Sequence, residues 1–185
     1  MTRSITLLCS VLLLPSCAST PITDGYHVNL PEGDTRIIVW GNHPAVVETA
    51  TTWLKKRGLF TLDPASMGKV LEEKAVRWSH TYQDEMAVIE AAQKLEVRQV
   101  VFANRYGDHR APSVSVRGVG VQNNQLLWIG SGRFSGFLKE PENDLLSKLT
   151  CQALATAWGF RLPGNQWFMS SFGLCIVDED QKGGN

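Results

Sequence analysis

Thr35–Gly58 reads TRIIVWGNHPAVVETATTWLKKRG, and this stretch decides the fold class. Thr35 to Trp40 is a short apolar run rich in β-branched side chains, and Gly41-Asn42 ends it, which predicts a buried strand. Pro44 then suits a first helical position, where its missing N–H would have had no intrahelical partner. Val46, Val47, Ala50, Trp53 and Leu54 recur at helical spacing. Lys55-Lys56-Arg57 complements the negative end of the helix dipole, and Gly58 is a natural stop. A buried strand leading straight into an amphipathic helix points to an α/β protein.

Beyond Gly58, Leu59 to Leu62 predicts a second short strand. Asp63-Pro64 then opens a helix carrying Met67, Val70, Leu71 and Ala75 on one face. After the polar break Ser79-His80-Thr81, the stretch from Asp84 to Leu95 repeats the helical pattern through Val88, Ala91, Ala92 and Leu95. Val97 to Asn104 predicts a third strand, and Gly107 to Pro112 a turn-rich connection. Ser113 to Val121 alternates through Val114 and Val116, then shifts phase to Val119 and Val121, which requires a bulge near Gly118. Gln122-Asn123-Asn124-Gln125 turns the chain, and Leu126 to Phe134 returns as the partner strand of a hairpin. A last helix, Asn143 to Trp158, packs through Leu146, Leu149, Ala153 and Ala157 before Gly159. The order β-α-β-α-α-β-β-β-α predicts an α/β sandwich of two or three layers, with a mixed sheet flanked by helices.

The chain begins differently. Arg3 precedes the apolar block Ser4 to Leu14 (SITLLCSVLLL), which is too short for the roughly 20 residues that span a bilayer and reads as a signal peptide. Leu14-Pro15-Ser16-Cys17 resembles the bacterial lipoprotein box, with an aliphatic residue three positions before the cysteine and a small one just before it. That resemblance implies cleavage before Cys17 and acylation of its thiol and new amine. Ala18 stands where the inner-membrane retention signal of such lipoproteins is typically Asp, which implies the periplasmic side of the outer membrane. The expected organisation is a signal peptide over 1–16, a lipidated N-terminus and flexible tether over 17–34, an α/β domain over 35–160 and a C-terminal extension over 161–185.

The 185 residues carry 18 Lys+Arg against 18 Asp+Glu, a balance that argues against non-specific nucleic-acid binding; 43% apolar content is enough for a core. Processing removes Cys9 and lipidates Cys17, so Cys151 and Cys175 remain as a candidate disulfide in an oxidising compartment, with two buried thiols as the alternative. No cysteine or histidine spacing predicts a metal site, and no cofactor is expected.

Phosphate-loop, dinucleotide-fingerprint, nucleophile-elbow and zincin motifs do not occur in the sequence, so no catalytic residues are assigned. Gly130-Ser131-Gly132 lacks the lysine and following helix of a phosphate cradle. Asp108-His109 is a candidate base without a nucleophile of known spacing, and a solvated turn explains it as well. Six tryptophans are unusual for this length. Trp53 falls on a core stripe, whereas Trp128, Trp167 and Phe168 are candidates for an exposed association surface.

Several of these patterns together resemble the CsgG-like superfamily of bacterial envelope lipoproteins, a group that includes the curli secretion channel subunit, PelC-type export lipoproteins and LpoB-type activators. Leu54, Gly58, Phe60, Leu71 and Glu73 fall where that family has a helix ending at Gly, a Phe-containing strand, and a helix carrying Leu and ending near Glu. Ala91-Ala92-Gln93-Lys94-Leu95 followed by Val100-Val101 is similar to its helix before a central strand, and Gln125-Leu126-Leu127-Trp128 to its hairpin return. The departures are Asp63-Pro64 in place of an Arg, Glu96-Val97 in place of a Gly-Ala-like pair, and Asn123-Asn124 in place of a turn Gly.

The resemblance implies a scaffold without catalytic residues. A pore subunit of this family would need spare hairpin strands of about 9–11 alternating residues, and no such segment is evident. The expectation is a non-enzymatic outer-membrane lipoprotein, PelC-like or simpler. It would support assembly or export of an envelope or extracellular polymer by self-association or by docking on a secretion machine. An activator docking on a cell-wall synthase is the second expectation, and an envelope hydrolase using Asp108-His109 the third.

Overall fold

The computed structural model describes residues 22–28, 30–31, 35–73, 82–134 and 141–159. The elements are β1 (Ile22–His27), β2 (Arg36–Trp40), α1 (Pro44–Lys56), β3 (Phe60–Thr61), α2 (Pro64–Glu73), α3 (Tyr82–Lys94), β4 (Gln99–Tyr106), β5 (Ser113–Gly120), β6 (Leu126–Arg133) and α4 (Glu142–Ala157). One six-stranded mixed sheet has the order β1-β6-β5-β4-β2-β3, with β2 parallel to β3 and β4 and the other neighbours antiparallel. The α/β class and mixed sheet expected from the pattern are both present.

The layering is α/β/α. Ile37 and Val39 join a core with Val46, Trp53, Leu54 and Leu149, on the face covered by α1 and α4. Ile38, Val100 and Phe102 point the other way, into a second core with Leu71, Val88 and Ala92 from α2 and α3. Both faces of β2 are therefore dry, which is why its sequence is a continuous apolar run where a half-exposed strand would alternate.

Helix α1 starts and stops where the sequence indicates. Pro44 is in its first turn, and Gly58 (φ 78°) closes a Schellman motif in which Leu59 N–H donates to the Leu54 carbonyl and Gly58 N–H to that of Lys55. Helix α3 ends in the same motif, with Val97 N–H donating to Ala92 and Glu96 N–H to Gln93, but the left-handed position is Glu96 (φ 54°). The predicted bulge lies between Gly118 and Val119. At the hairpin turn Asn124 takes φ 54°, a conformation that asparagine tolerates better than most side chains and that stands in for the turn glycine of the family pattern.

One expectation fails. Residues 22–27 belong to the sheet as β1, whereas the sequence placed them in a tether. Ile22 pairs with Arg133 and His27 with Trp128, so the chain enters at one sheet edge and has β6, β5 and β4 to pass in crossing to β2. Leu30, within that crossing, packs on the α1/α4 core. Strand β1 lacks an apolar stripe because its inward positions face helix backbone: a side chain on Gly25 would strike the main chain of Thr156 and Ala157. His27 Nδ1–H donates to the Ala157 carbonyl at 3.0 Å, satisfying an end of α4 that has no further helical turn to bond.

Candidate functional site

The carboxyl end of β2 lies beside β4, and residues from the last part of β4 and just past β2 build a polar cluster. Asn42, just past β2, uses both ends of its amide on Arg105. Its Nδ2 donates to the Arg105 carbonyl at 2.8 Å, and its Oδ1 accepts the Arg105 N–H at 2.7 Å. The Arg105 guanidinium donates through Nε and Nη2 to Glu142 Oε1 at 3.1 and 2.8 Å, tying the end of β4 to the first residue of α4. His109 Nδ1 lies 3.0 Å from Glu142 Oε2. The His109 hydrogen bond first, and then Arg105, outweigh partial desolvation and hold the Glu142 carboxyl below its ordinary range.

Asp108 serves the turn itself. Its Oδ1 accepts the N–H groups of Arg110 and Ala111 at 2.8 and 2.9 Å, and the Ala111 bond is the larger cause of its lowered pKa. Asp108 is exposed and the His109 side chain is 86% exposed. The pair caps an open turn and does not line a cleft, so the hydrolase expectation loses the geometry it required. Among the described residues, no group of three or more His, Cys, Asp or Glu could hold a metal ion.

The aromatic surface also needs correction. Trp128 is completely buried and belongs to the core. It meets Trp158 edge-on at 4.5 Å between ring centroids, and Trp158 in turn meets Trp53 at 5.0 Å, so these three tryptophans form one cluster between β6, α1 and α4. Gly118 makes the room, because a side chain there would collide with the Trp128 ring and the Gln99 amide. That glycine, two residues past Val116 on the inward face of β5, was the available signal. Trp167 and Phe168 lie outside the described residues.

Exposed apolar side chains gather elsewhere. Tyr26, Val28 and Leu126 lie where β1 meets β6, Phe60 is on the edge strand β3, and Tyr106 stands at the end of β4. Cys151, half-buried on α4, is disulfide-bonded. Cys17 and Cys175 lie outside the described residues. Among those described, no helix is long and apolar enough to cross a membrane.

No family model and no curated protein matches the sequence. Solved structures do match. A point variant of the PelC dodecamer from Paraburkholderia phytofirmans has a TM-score of 0.50 at 13% identity, covering 74% of this chain and 97% of PelC. Lipoprotein GNA1162 from Neisseria meningitidis has a TM-score of 0.48 at 18% identity, covering 70% and 99%. The LpoB C-terminal domain from Salmonella enterica has a TM-score of 0.44 at 13% identity, covering 58% and 86%. The fold is thus the one seen in PelC.

Proposed function

We propose that this chain, built on the CsgG-like fold, is a lipoprotein of the outer membrane that serves as a non-catalytic accessory subunit in assembly or export of an envelope or extracellular polymer. The observation that carries the reading is the match to PelC along nearly the whole PelC chain, combined with the lipoprotein box at Leu14–Cys17. In this reading, acyl chains on Cys17 hold the protein at the periplasmic leaflet. Each buried methylene contributes about 0.8 kcal/mol, so two or three chains make the anchor stable where one is marginal. The domain acts by shape, either associating with further copies of itself, as the PelC dodecamer does, or docking on a secretion machine.

Two measurements test this. Replacing Cys17 by serine should release the protein from the membrane fraction, and retention of the Cys17→Ser protein there sinks the lipoprotein reading. Light scattering on the soluble protein beginning at Ala18 should find a discrete assembly; a strict monomer at high concentration removes self-association and leaves docking.

A further inference from the structure

The register places Ile22, Arg133, Ser113 and Tyr106 in one row across β1, β6, β5 and β4. Beyond that row lie the turn with Asp108, His109 and Arg110 and the first turn of α4. Among the described residues, the opposite end of the sheet is basic. Arg36 pairs with Phe60 there, and the Arg98 N–H donates to the Arg36 carbonyl. The last turns of α1 and α3 add Lys55, Lys56 and Lys94, with Glu96 a carboxylate beside them among the described residues. The first end is close to balanced. Arg105 and His109 face Glu142, Asp108 adjoins Arg110, and Arg133 and Asp144 are exposed.

We propose that the anchored domain stands on the bilayer on its Ile22–Tyr106 end, with Tyr106 and Arg110 at the headgroups, and turns its basic end away from the membrane. This rests on acylation of Cys17. Five residue steps separate Cys17 from Ile22, a reach of at most roughly 18 Å at about 3.5 Å per residue. From the Tyr106 row to the Gln99 row is seven residues, roughly 23 Å at about 3.3 Å each. A tether of that length cannot put the basic end on the surface with the strands upright.

Electrostatics alone would favour the reverse. An anionic leaflet attracts basic side chains only within a Debye length of about 8 Å, so the covalent constraint wins. Lying on the β1 edge is opposed by the exposed carboxylate of Asp24 and by the polar backbone of a strand that, among the described residues, is the sheet edge. Tyr106, nearly half exposed at the end of β4, has the amphipathic ring that membrane interfaces accommodate. The consequence for partners is direct: Phe60 and the basic side chains around it are presented to the periplasm.

The test uses full-length acylated protein in phosphatidylethanolamine/phosphatidylglycerol vesicles that contain nitroxide-labelled headgroups. A fluorophore is attached in turn at Arg110→Cys, Gln125→Cys and Asp24→Cys, and the parent protein, treated identically, sets the background. Quenching should be several-fold stronger at position 110 than at 125 or 24. Equal quenching at the three positions in protein that floats with the vesicles overturns the orientation alone, as does stronger quenching at 125 or 24. Parent protein that fails to float, like Cys17→Ser, overturns the acylation reading and the orientation together.

Discussion

Gly25 of β1 and Gly130 of β6 are register partners, and both touch the backbone of α4, Gly25 at Thr156 and Gly130 at Ala153. The helix therefore rides on main chain, with no side-chain layer between it and this corner of the sheet. Two cross-strand glycines under one helix make the approach possible.

Gly130→Ala and Gly25→Ala are expected to destabilise the domain by about 2–3 kcal/mol each, because the helix must lift to admit a methyl group. Gly68→Ala on α2, where nothing lies within 4 Å of the added atom, is expected to stabilise by about 0.5–1 kcal/mol. Thermal melts of the soluble domain check both signs. Unchanged melting in Gly130→Ala would refute the close docking of α4.

Glu96 holds the left-handed position that ends α3, where a side chain costs about 1 kcal/mol or more. Its ion pair with Arg36, at 3.5 Å and largely exposed, returns less than about 1 kcal/mol. Glu96→Gly should therefore raise the melting temperature slightly, and Glu96→Val should lower it. Thermal melts of the two variants supply the measurement.

The depressed pKa of Glu142 makes stability depend on acid. Its carboxyl is held below the ordinary value of 4.5 in the folded state, so the contribution is complete above that value and is lost as pH falls through the folded one. Glu142→Gln should be less stable than the parent near neutrality and should lose less of its stability as pH falls through the acidic range in which the Glu142 carboxyl takes up its proton. Parallel acid titrations followed by tryptophan fluorescence decide it; coincident curves would mean that the Arg105–Glu142–His109 cluster adds nothing.

Cys151 is disulfide-bonded, and Cys175 is its expected partner. Helix α4 is buried beyond its sheet-facing line Leu149–Ala153–Ala157, since Ala155 and Lys148, on other sides of the helix, are buried too. Peptide mapping without reduction should recover Cys151 joined to Cys175, and reduction should cost about 3 kcal/mol for a loop of this length. Recovery of Cys151 joined to Cys17 would disprove this pairing and leave that residue without the thiol needed for acylation.

The helices and central strands were legible because their apolar periods are strong: α1 and its neighbour β2 follow directly from the Val, Ile, Trp and Leu positions of Thr35–Gly58. The phase shift at Gly118 likewise foretold the bulge. Strand β1 was hidden because its inward residues are Gly25 and His27, chosen for contact with helix backbone, so hydrophobic alternation has nothing to register. Trp128 was misplaced for a related reason. A tryptophan opposite a glycine is filling the space the glycine leaves, a relation visible only when the register of β5 and β6 is known.

That first strand also sets how the domain bears load. Ile22 is the point at which the N-terminal segment joins the sheet, and β1 runs antiparallel to β6 over six register pairs. Tension arriving along the strand from its N-terminal side meets hydrogen bonds that lie across the direction of pull and are strained together in shear. A domain entered through a hairpin end would instead open one bond at a time. By entering through β1, the chain makes its first strand a mechanical clamp.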